Sequence, residues 1–255
     1  MKIIVSVKQV PARDSLLQVN DSGKALDTSD LTFEMNEPDA YALEEALQLR
    51  DKLGGEVVVL CAGPATAAST IREALAKGAD RAIHVETPDG AGMTDAFTTA
   101  TMLAQAIKPE APDFVLTGLQ SDDMGYGQTG VVLAELLGFA HATIVMEVEP
   151  LDGKVRVKRE LEDGWFQHVT LPLPVVLTIQ SGIKKLRYAT LMGIKKAKSK
   201  ELRVIPAPEA AQGVHAEVER VYAPQRSKAS QIFTGDAKQA AKDLVEKLRF
   251  EARVI

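Results

Sequence analysis

Gly118-Leu-Gln-Ser-Asp-Asp-Met-Gly-Tyr-Gly-Gln-Thr-Gly130 is the stretch on which the reading of this chain turns. The apolar run Asp113-Phe-Val-Leu-Thr117 enters it, and the helical pattern Val131-Val-Leu-Ala-Glu-Leu-Leu137 leaves it. Strand, small-residue loop and helix start, in that order, make a geometry that binds phosphate. Glycines let the backbone approach an anion, and the free N–H groups of the first helical turn point at it. No Gly-Lys-Ser/Thr follows, so this is not a Walker A loop, and the glycines lack the G-x-G-x-x-G spacing. With no lysine and no general base inside it, the loop suits holding a nucleotide rather than cleaving one. On spacing alone, an ordinary glycine-rich βα turn would read the same way.

Upstream, residues 3–7 form a β-branched run expected as a buried parallel strand. Its exit, Lys8-Gln-Val-Pro-Ala-Arg13, falls at a sheet edge where ligands bind. Polar residues 14–32 are expected as an excursion or hairpin turning at Asp21-Ser-Gly23. Asn36-Glu-Pro-Asp39 opens a helix, with Asn36 as N-cap, Pro38 in the first turn and Asp39 against the positive dipole end. Ala42, Leu43, Ala46, Leu49 and Leu53 share its apolar side, and Gly54-Gly55 stops it. Glu34, Glu37 and Asp39 would repel phosphate, so this helix start is expected beside a base or ribose. A second strand over 56–61 precedes a helix carrying Ile71, Ala74 and Leu75, capped by Gly78. A third strand over 81–85 precedes a helix running from Thr94-Asp95 to Ile107. Four such βα units give an α/β class: a Rossmann-like, open, mostly parallel sheet with helices on both faces.

Downstream the pattern changes. Residues 142–149, 154–161, 166–171 and 175–179 are close-set strand candidates, the first three separated by Leu151-Asp-Gly153 and Glu162-Asp-Gly164. Val155-Arg-Val-Lys-Arg-Glu160 alternates, so this β-hairpin excursion has one face toward solvent or a partner. Residues 181–200 read either as a solvated lysine face over a core helix or as an apolar tip ringed by cations. In the second case Thr190 caps a short helix that exposes Leu191 and Met192. A short strand over 202–205, a Pro- and Ala-rich linker over 206–213, an extended piece over 217–222 and an amphipathic helix over 236–250 complete the chain. The division expected is an α/β domain over 1–205, including the loop 181–200, and a C-terminal arm over 206–255 that wraps the main domain or packs on a partner subunit.

Composition excludes several classes. The chain has 255 residues, 45% hydrophobic and 25% charged, which is ordinary for one large globular domain. A net charge of −5 argues against nucleic acid as the main partner. Cys61 is the single cysteine, which excludes an internal disulfide. Met1-Lys-Ile-Ile-Val5 turns polar too soon for a signal peptide, and no apolar run approaches the ~20 residues of a membrane span. The expectation is a cytoplasmic protein with no membrane insertion. His84, His141, His168 and His215 share no metal-ligand spacing, and no nucleophile elbow is present. Asp122 and Asp123 are carboxylates of the kind that ligate Mg²⁺, but without a base or lysine clamp they do not point to hydrolysis.

Taken together these residues resemble the β-subunit family of electron transfer flavoproteins. The resemblance runs through Val5-Ser-Val-Lys8, Met35-Asn36 before Leu43-Glu-Glu-Ala46, and Gly63-Pro64 leading to Ala74-Leu-Ala-Lys-Gly-Ala-Asp-Arg81. It continues through Gly118-Leu-Gln120, Gln128-Thr-Gly130 and Val157-Lys-Arg-Glu160. Its most specific part is Arg187-Tyr-Ala-Thr-Leu191, followed by a lysine-rich run.

The resemblance implies a heterodimer whose α subunit carries most contacts to a redox-active FAD, while this chain holds a structural AMP and has no catalytic constellation. Carried onto this sequence, the AMP contacts are Ser6, Asn36, Glu37, Pro38, Asp39, Ala62, Gly118, Leu119, Gln120, Ser121, Asp122, Asp123, Met124, Gly125, Tyr126, Gly127, Gln128 and Thr129. Leu191 is implied as the anchor of a recognition loop that includes Arg187, Tyr188, Met192 and Ile194, with Glu160 paired to a basic group of the mobile flavin domain. The implied clients are acyl-CoA or amine-type flavoprotein dehydrogenases upstream and a quinone oxidoreductase downstream. Ser121-Asp-Asp-Met-Gly-Tyr-Gly127 differs from the string of electron-bifurcating members, which implies the AMP-binding, non-bifurcating type. Arg13 stands where some members place an aromatic residue near the flavin. The competing expectations are a stand-alone adenine-nucleotide enzyme or stress-type ATP-binding protein on a related sheet, or an AMP-binding scaffold that transfers nothing.

Overall fold

The computed structural model describes residues 1–88, 94–208, 215–224 and 230–255. Residues 209–214 of the expected linker lie outside the described residues. Contacts divide the chain into two units, Met1–Val221 and Tyr222–Ile255.

The first unit begins with β1 (Lys2–Ser6), β2 (Gln9–Pro11), β3 (Phe33–Met35) and α1 (Glu37–Leu53). It continues through β4 (Glu56–Gly63), α2 (Ala68–Lys77), β5 (Arg81–Glu86), α3 (Ala96–Ile107), β6 (Phe114–Gly118) and α4 (Thr129–Leu137). Then come β7 (Ala140–Leu151), β8 (Lys154–Glu160), β9 (Phe166–Pro172), β10 (Val175–Ile179), α5 (Leu191–Ala197) and β11 (Leu202–Pro206). Among the described residues the main sheet runs β11-β5-β4-β1-β6-β10-β7-β8-β9. Pairing is parallel from β11 through β7 and antiparallel from β7 to β9. The excursion over β7–β9 therefore extends the main sheet as a meander.

The unbroken apolar runs follow from the pleat. Successive side chains point to opposite faces, and both faces here are covered. Ile3, Val5, Val57, Val59, Phe114 and Leu116 pack with Leu43 and Leu47 of α1 and Ile71 and Leu75 of α2. Ile4, Val58, Leu60, Ile83 and Val115 pack on the other side with Leu103 and Ile107 of α3 and Leu133 of α4. In β8, Val155 and Val157 are buried while Arg156 is exposed, the alternation of a sheet with one wet face.

Three expectations need correction. Leu53 is exposed, and Leu47 takes the core place instead, because α1 is covered on more than one side and its buried set is wider than a single stripe. Among the described residues, 217–222 form no strand; Lys24 Nζ reaches Glu217 at 2.6 Å and the Val221 N–H reaches the Gly23 carbonyl at 2.8 Å. Asn36 occupies the cap position of α1 but makes no side-chain cap bond, because its amide is used elsewhere.

The second unit contains α6 (Ala237–Phe250). Asp236 caps it by accepting from the N–H groups of Lys238 and Gln239, at 2.9 and 3.0 Å. None of its residues is buried.

Candidate functional site

The strand order sets the place of the site. The chain leaves β1 for β4 and β5 on one side, then returns through α3 to β6 on the other side of β1. The order thus reverses between β1 and β6, and open α/β sheets bind ligands in the crevice at the carboxyl ends of such strands. Ser6 ends β1, Gly118 ends β6, and Ala62 lies near the end of β4 beside β1.

Asp39, in the first turn of α1, closes the floor of this crevice. Its carboxylate accepts the Gly118 N–H at 2.9 Å and the Lys8 N–H at 2.8 Å, tying the exits of β6 and β1 to one helix. Asn36 holds the next stretch of loop: its Nδ2 donates to the Gln120 carbonyl at 3.0 Å and its Oδ1 accepts the Asp122 N–H at 2.8 Å. That is where the expected cap bond went. The Glu37 N–H donates to Asp122 at 3.2 Å. Within the loop, the Gly125 N–H donates to the Ser121 carbonyl at 2.8 Å and the Met124 N–H to Asp123 at 2.8 Å.

Beyond this turn the loop opens. Gly125 and Gly127 have φ of 65° and 62°, and a Cβ on Gly125 would meet nothing within 4 Å. Tyr126 between them is exposed. Gln128 precedes α4 without any side-chain cap bond, and Thr129 begins the helix. Among the described residues no side chain caps the first N–H groups of α4. Gly130 brings that helix end onto the strands, since a Cβ there would lie 2.5 Å from Thr178 Cγ2 and 2.8 Å from Thr117 Oγ1.

Two of the carboxylates expected to repel phosphate, Glu37 and Asp39, have an answer, the second in the backbone N–H groups already described. Arg13 binds both Glu37 and Asp122, and Lys8 Nζ lies 2.7 Å from Asp123 and 3.4 Å from Ser121 Oγ. These pairs also hold Asp122 and Asp123 by basic groups, and no cluster suited to a metal ion occurs among the described residues. Lys8 is the cleft residue the sequence reading left unassigned; its signal was its place immediately beyond the end of the first strand. Cys61 is buried beneath, and burial pushes its thiol up to about 12, so it is an inert core group.

Asp39 makes the cleft sensitive to pH. Burial pushes its carboxyl up to about 7, against the pull of its two backbone donors. The folded chain then holds this proton more tightly than the unfolded chain, so the contribution is full below ordinary carboxylate pH and lost as pH rises through about 7. Asp39→Asn cannot titrate. The stability of wild type relative to this variant, from denaturant midpoints, is expected to fall by up to ~3 kcal/mol between pH ~5 and ~8. A difference that stays flat over this range would mean the N–H donors keep the carboxylate ionised.

The second group of candidate residues lies on the 181–200 segment. Tyr188 is 90% exposed, Leu191 87% and Met192 64%, with Ile194 also exposed. Thr190 caps α5 by accepting the Gly193 N–H at 3.0 Å. Arg187 is turned inward to Glu44 at 2.9 Å and to Asp51 at 3.1 Å. Glu160 stands apart from this tip at the end of β8, accepting from Gln180 Nε2 at 2.9 Å. The structure thus gathers the cleft candidates at one switch point and places the tip candidates on a separate loop.

Fold and site define an α/β open-sheet protein with a crevice at its switch point and a projecting apolar tip. The family profile described as "Electron transfer flavoprotein domain" matches residues 24–210. The chain is 38% identical to the electron transfer flavoprotein subunit beta of Methylophilus methylotrophus, over 95% of this chain and 96% of that protein. It is 35% identical to the corresponding mitochondrial subunit of Oryza sativa subsp. japonica, over the full length of both. To the subunit of Mus musculus it is 33% identical, over 100% of this chain and 99% of that one. The chain belongs to the electron transfer flavoprotein family, on its β-subunit side. Membership implies an α-subunit partner and a carrier role rather than catalysis of its own. No helix among the described residues is long and apolar enough to cross a membrane.

Proposed function

We propose that this chain is the AMP-holding, dehydrogenase-docking half of a non-bifurcating electron transfer flavoprotein. One observation carries the docking role: Leu191 and Tyr188 project into solvent from a loop whose base is tied to α1. An apolar side chain held out on a fixed base suits a small, transient interface with fast turnover. Leu191 is the anchor, flanked by Tyr188, Met192 and Ile194, and its clients are acyl-CoA or amine-type dehydrogenases, with a quinone oxidoreductase as the downstream acceptor.

AMP occupies the switch-point cleft in this reading. The groups that would hold its phosphate are the uncapped start of α4 and the backbone at Gly125, where a Cβ would meet open space. The adenosine faces the α1 start at Asn36 to Asp39, where the acidic groups are already paired. FAD supplies the electron-accepting ring and is held mainly by the α subunit. This chain's contribution is to grip the nucleotide, shape the shared interface, and offer Glu160 to a basic group of the flavin domain. Arg13, bound to Glu37 and Asp122, serves the cleft. A cytoplasmic setting belongs to the same reading, supported by a lone free cysteine that is buried.

The test is cofactor content. The purified β chain is expected to release one AMP per chain on denaturation and to show no flavin absorbance; stoichiometric FAD on the isolated chain would contradict the assignment. The arm is assigned to the α subunit, because Leu244, Val245 and Phe250 of α6 are exposed. Deleting residues 206–255 is expected to weaken heterodimer formation at least tenfold in a sedimentation or titration assay. Unchanged affinity would remove the wrapping role.

A further inference from the structure

Two buried carboxylates do no work in the cleft. Glu44 and Glu45 are consecutive residues of α1, 4% and 1% exposed. Burying a carboxylate is unfavourable unless it is paired and hydrogen-bonded. Both are answered from one short segment. Glu44 accepts from the Arg187 backbone N–H at 3.2 Å, from Arg187 Nε at 2.9 Å and Nη2 at 3.2 Å, and from Gln48 Nε2 at 2.7 Å. Lys184 Nζ stands 3.6 Å from Glu45 Oε2, an oxygen without a hydrogen-bond partner among the described residues.

We propose that Glu44, seconded by Glu45, is the positioning residue for electron-transfer docking: it fixes where the Leu191 tip stands relative to the nucleotide cleft. The inference rests on the docking reading above. A buried ion pair adds little net stability, but it has one good geometry, and a shift of the segment would strip the carboxylates of their donors. Apolar contacts would hold the segment without fixing its register. The far foot of the tip is fixed as firmly. Arg72 Nη1 donates to the carbonyls of Ala197 and Lys200, at 2.7 and 3.0 Å, and Lys200 Nζ donates to those of Leu75 and Ala79, at 2.9 and 2.6 Å. Gly193 lies so close to α2 that a Cβ would come within 2.3 Å of the Ala76 carbonyl oxygen. The tip is thus an arch on two anchored feet. The helix under its first foot is the one whose N-terminus, through Asn36 and Asp39, floors the cleft.

Hydrogen exchange by mass spectrometry on the α/β heterodimer tests this. In Glu44→Gln, peptides covering residues 184–197 are expected to exchange about tenfold faster while peptides over residues 140–160 stay unchanged. The dehydrogenase's KM for the heterodimer is expected to rise about tenfold, with kcat, AMP and flavin content kept. Lys184→Met is expected to move both readouts the same way by about twofold, and it carries the test where the Gln variant does not assemble. Unchanged exchange at the tip overturns the proposal, and so does faster exchange throughout, which would make Glu44 a general stability residue. Should Leu191→Ala leave KM unaltered, the docking reading fails on its own, and the exchange data still judge whether Glu44 holds the segment.

Discussion

Leu191→Ala is expected to raise a dehydrogenase's KM for the heterodimer about 30-fold while leaving AMP and flavin content at wild-type levels. At 87% exposure the leucine side chain has almost no packing inside its own chain, so its removal opens no cavity. What disappears is the apolar area it would bury in a partner's pocket. A central anchor of that size contributes ~2 kcal/mol, which converts to that factor. The cap bond from Gly193 to Thr190 is untouched, so α5 keeps its start. Steady-state reduction of the heterodimer at varied concentration separates the outcomes. A raised KM at constant kcat is the docking signature, and wild-type kinetics would remove the anchor.

Gly118→Ala is expected to act on the other site and through the fold. The methyl group would lie 2.5 Å from Asp39 Oδ1, 2.6 Å from Pro38 Cβ and 2.8 Å from the Asp39 nitrogen. These neighbours are a proline and the first turn of a helix, and neither can swing away. The strand end and the helix start must separate, breaking the bond from the Gly118 N–H to Asp39. Overpacking of this kind costs about 3 kcal/mol, and here it falls where the two walls of the cleft meet. The variant is expected to lose bound AMP and to unfold at distinctly lower denaturant concentration. Gly125→Ala is the matched control: with open space around it and only a positive φ to strain, it should cost ~1 kcal/mol. Equal AMP content in wild type and Gly118→Ala would mean that the cleft described here is not where the nucleotide sits.

Much of the architecture was legible because local rules and the final fold agree. Continuous β-branched runs such as Val57-Val-Val-Leu60 occur where both sides of a strand are covered, and that strand is buried throughout its centre. Gly54, Gly78 and Gly138 end helices where a left-handed or otherwise strained residue is needed. The residues that line the crevice were legible because the loops at strand ends follow those strands along the chain. Local rules failed where a side chain had a better distant partner. Asn36 is well placed to cap α1, yet it spends its amide on residues 120 and 122. Leu53 keeps the helical period but stands beyond the layer that would cover it.

The sequence by itself determined the parallel sheet, the helix ends, the glycine loop and the cationic apolar segment, since each depends on periodicity or on residues close along the chain. Only the tertiary structure decided what each charge does: Asp39 joins two strand ends, Lys8 and Arg13 answer the acids of the cleft, and Arg187 faces inward to Glu44. The physical reason is separation. Those partners lie from tens of residues to more than a hundred apart, and a charged side chain's preference for its nearest opposite charge carries no trace in local sequence. It is settled only when the sheet order brings the strand ends together.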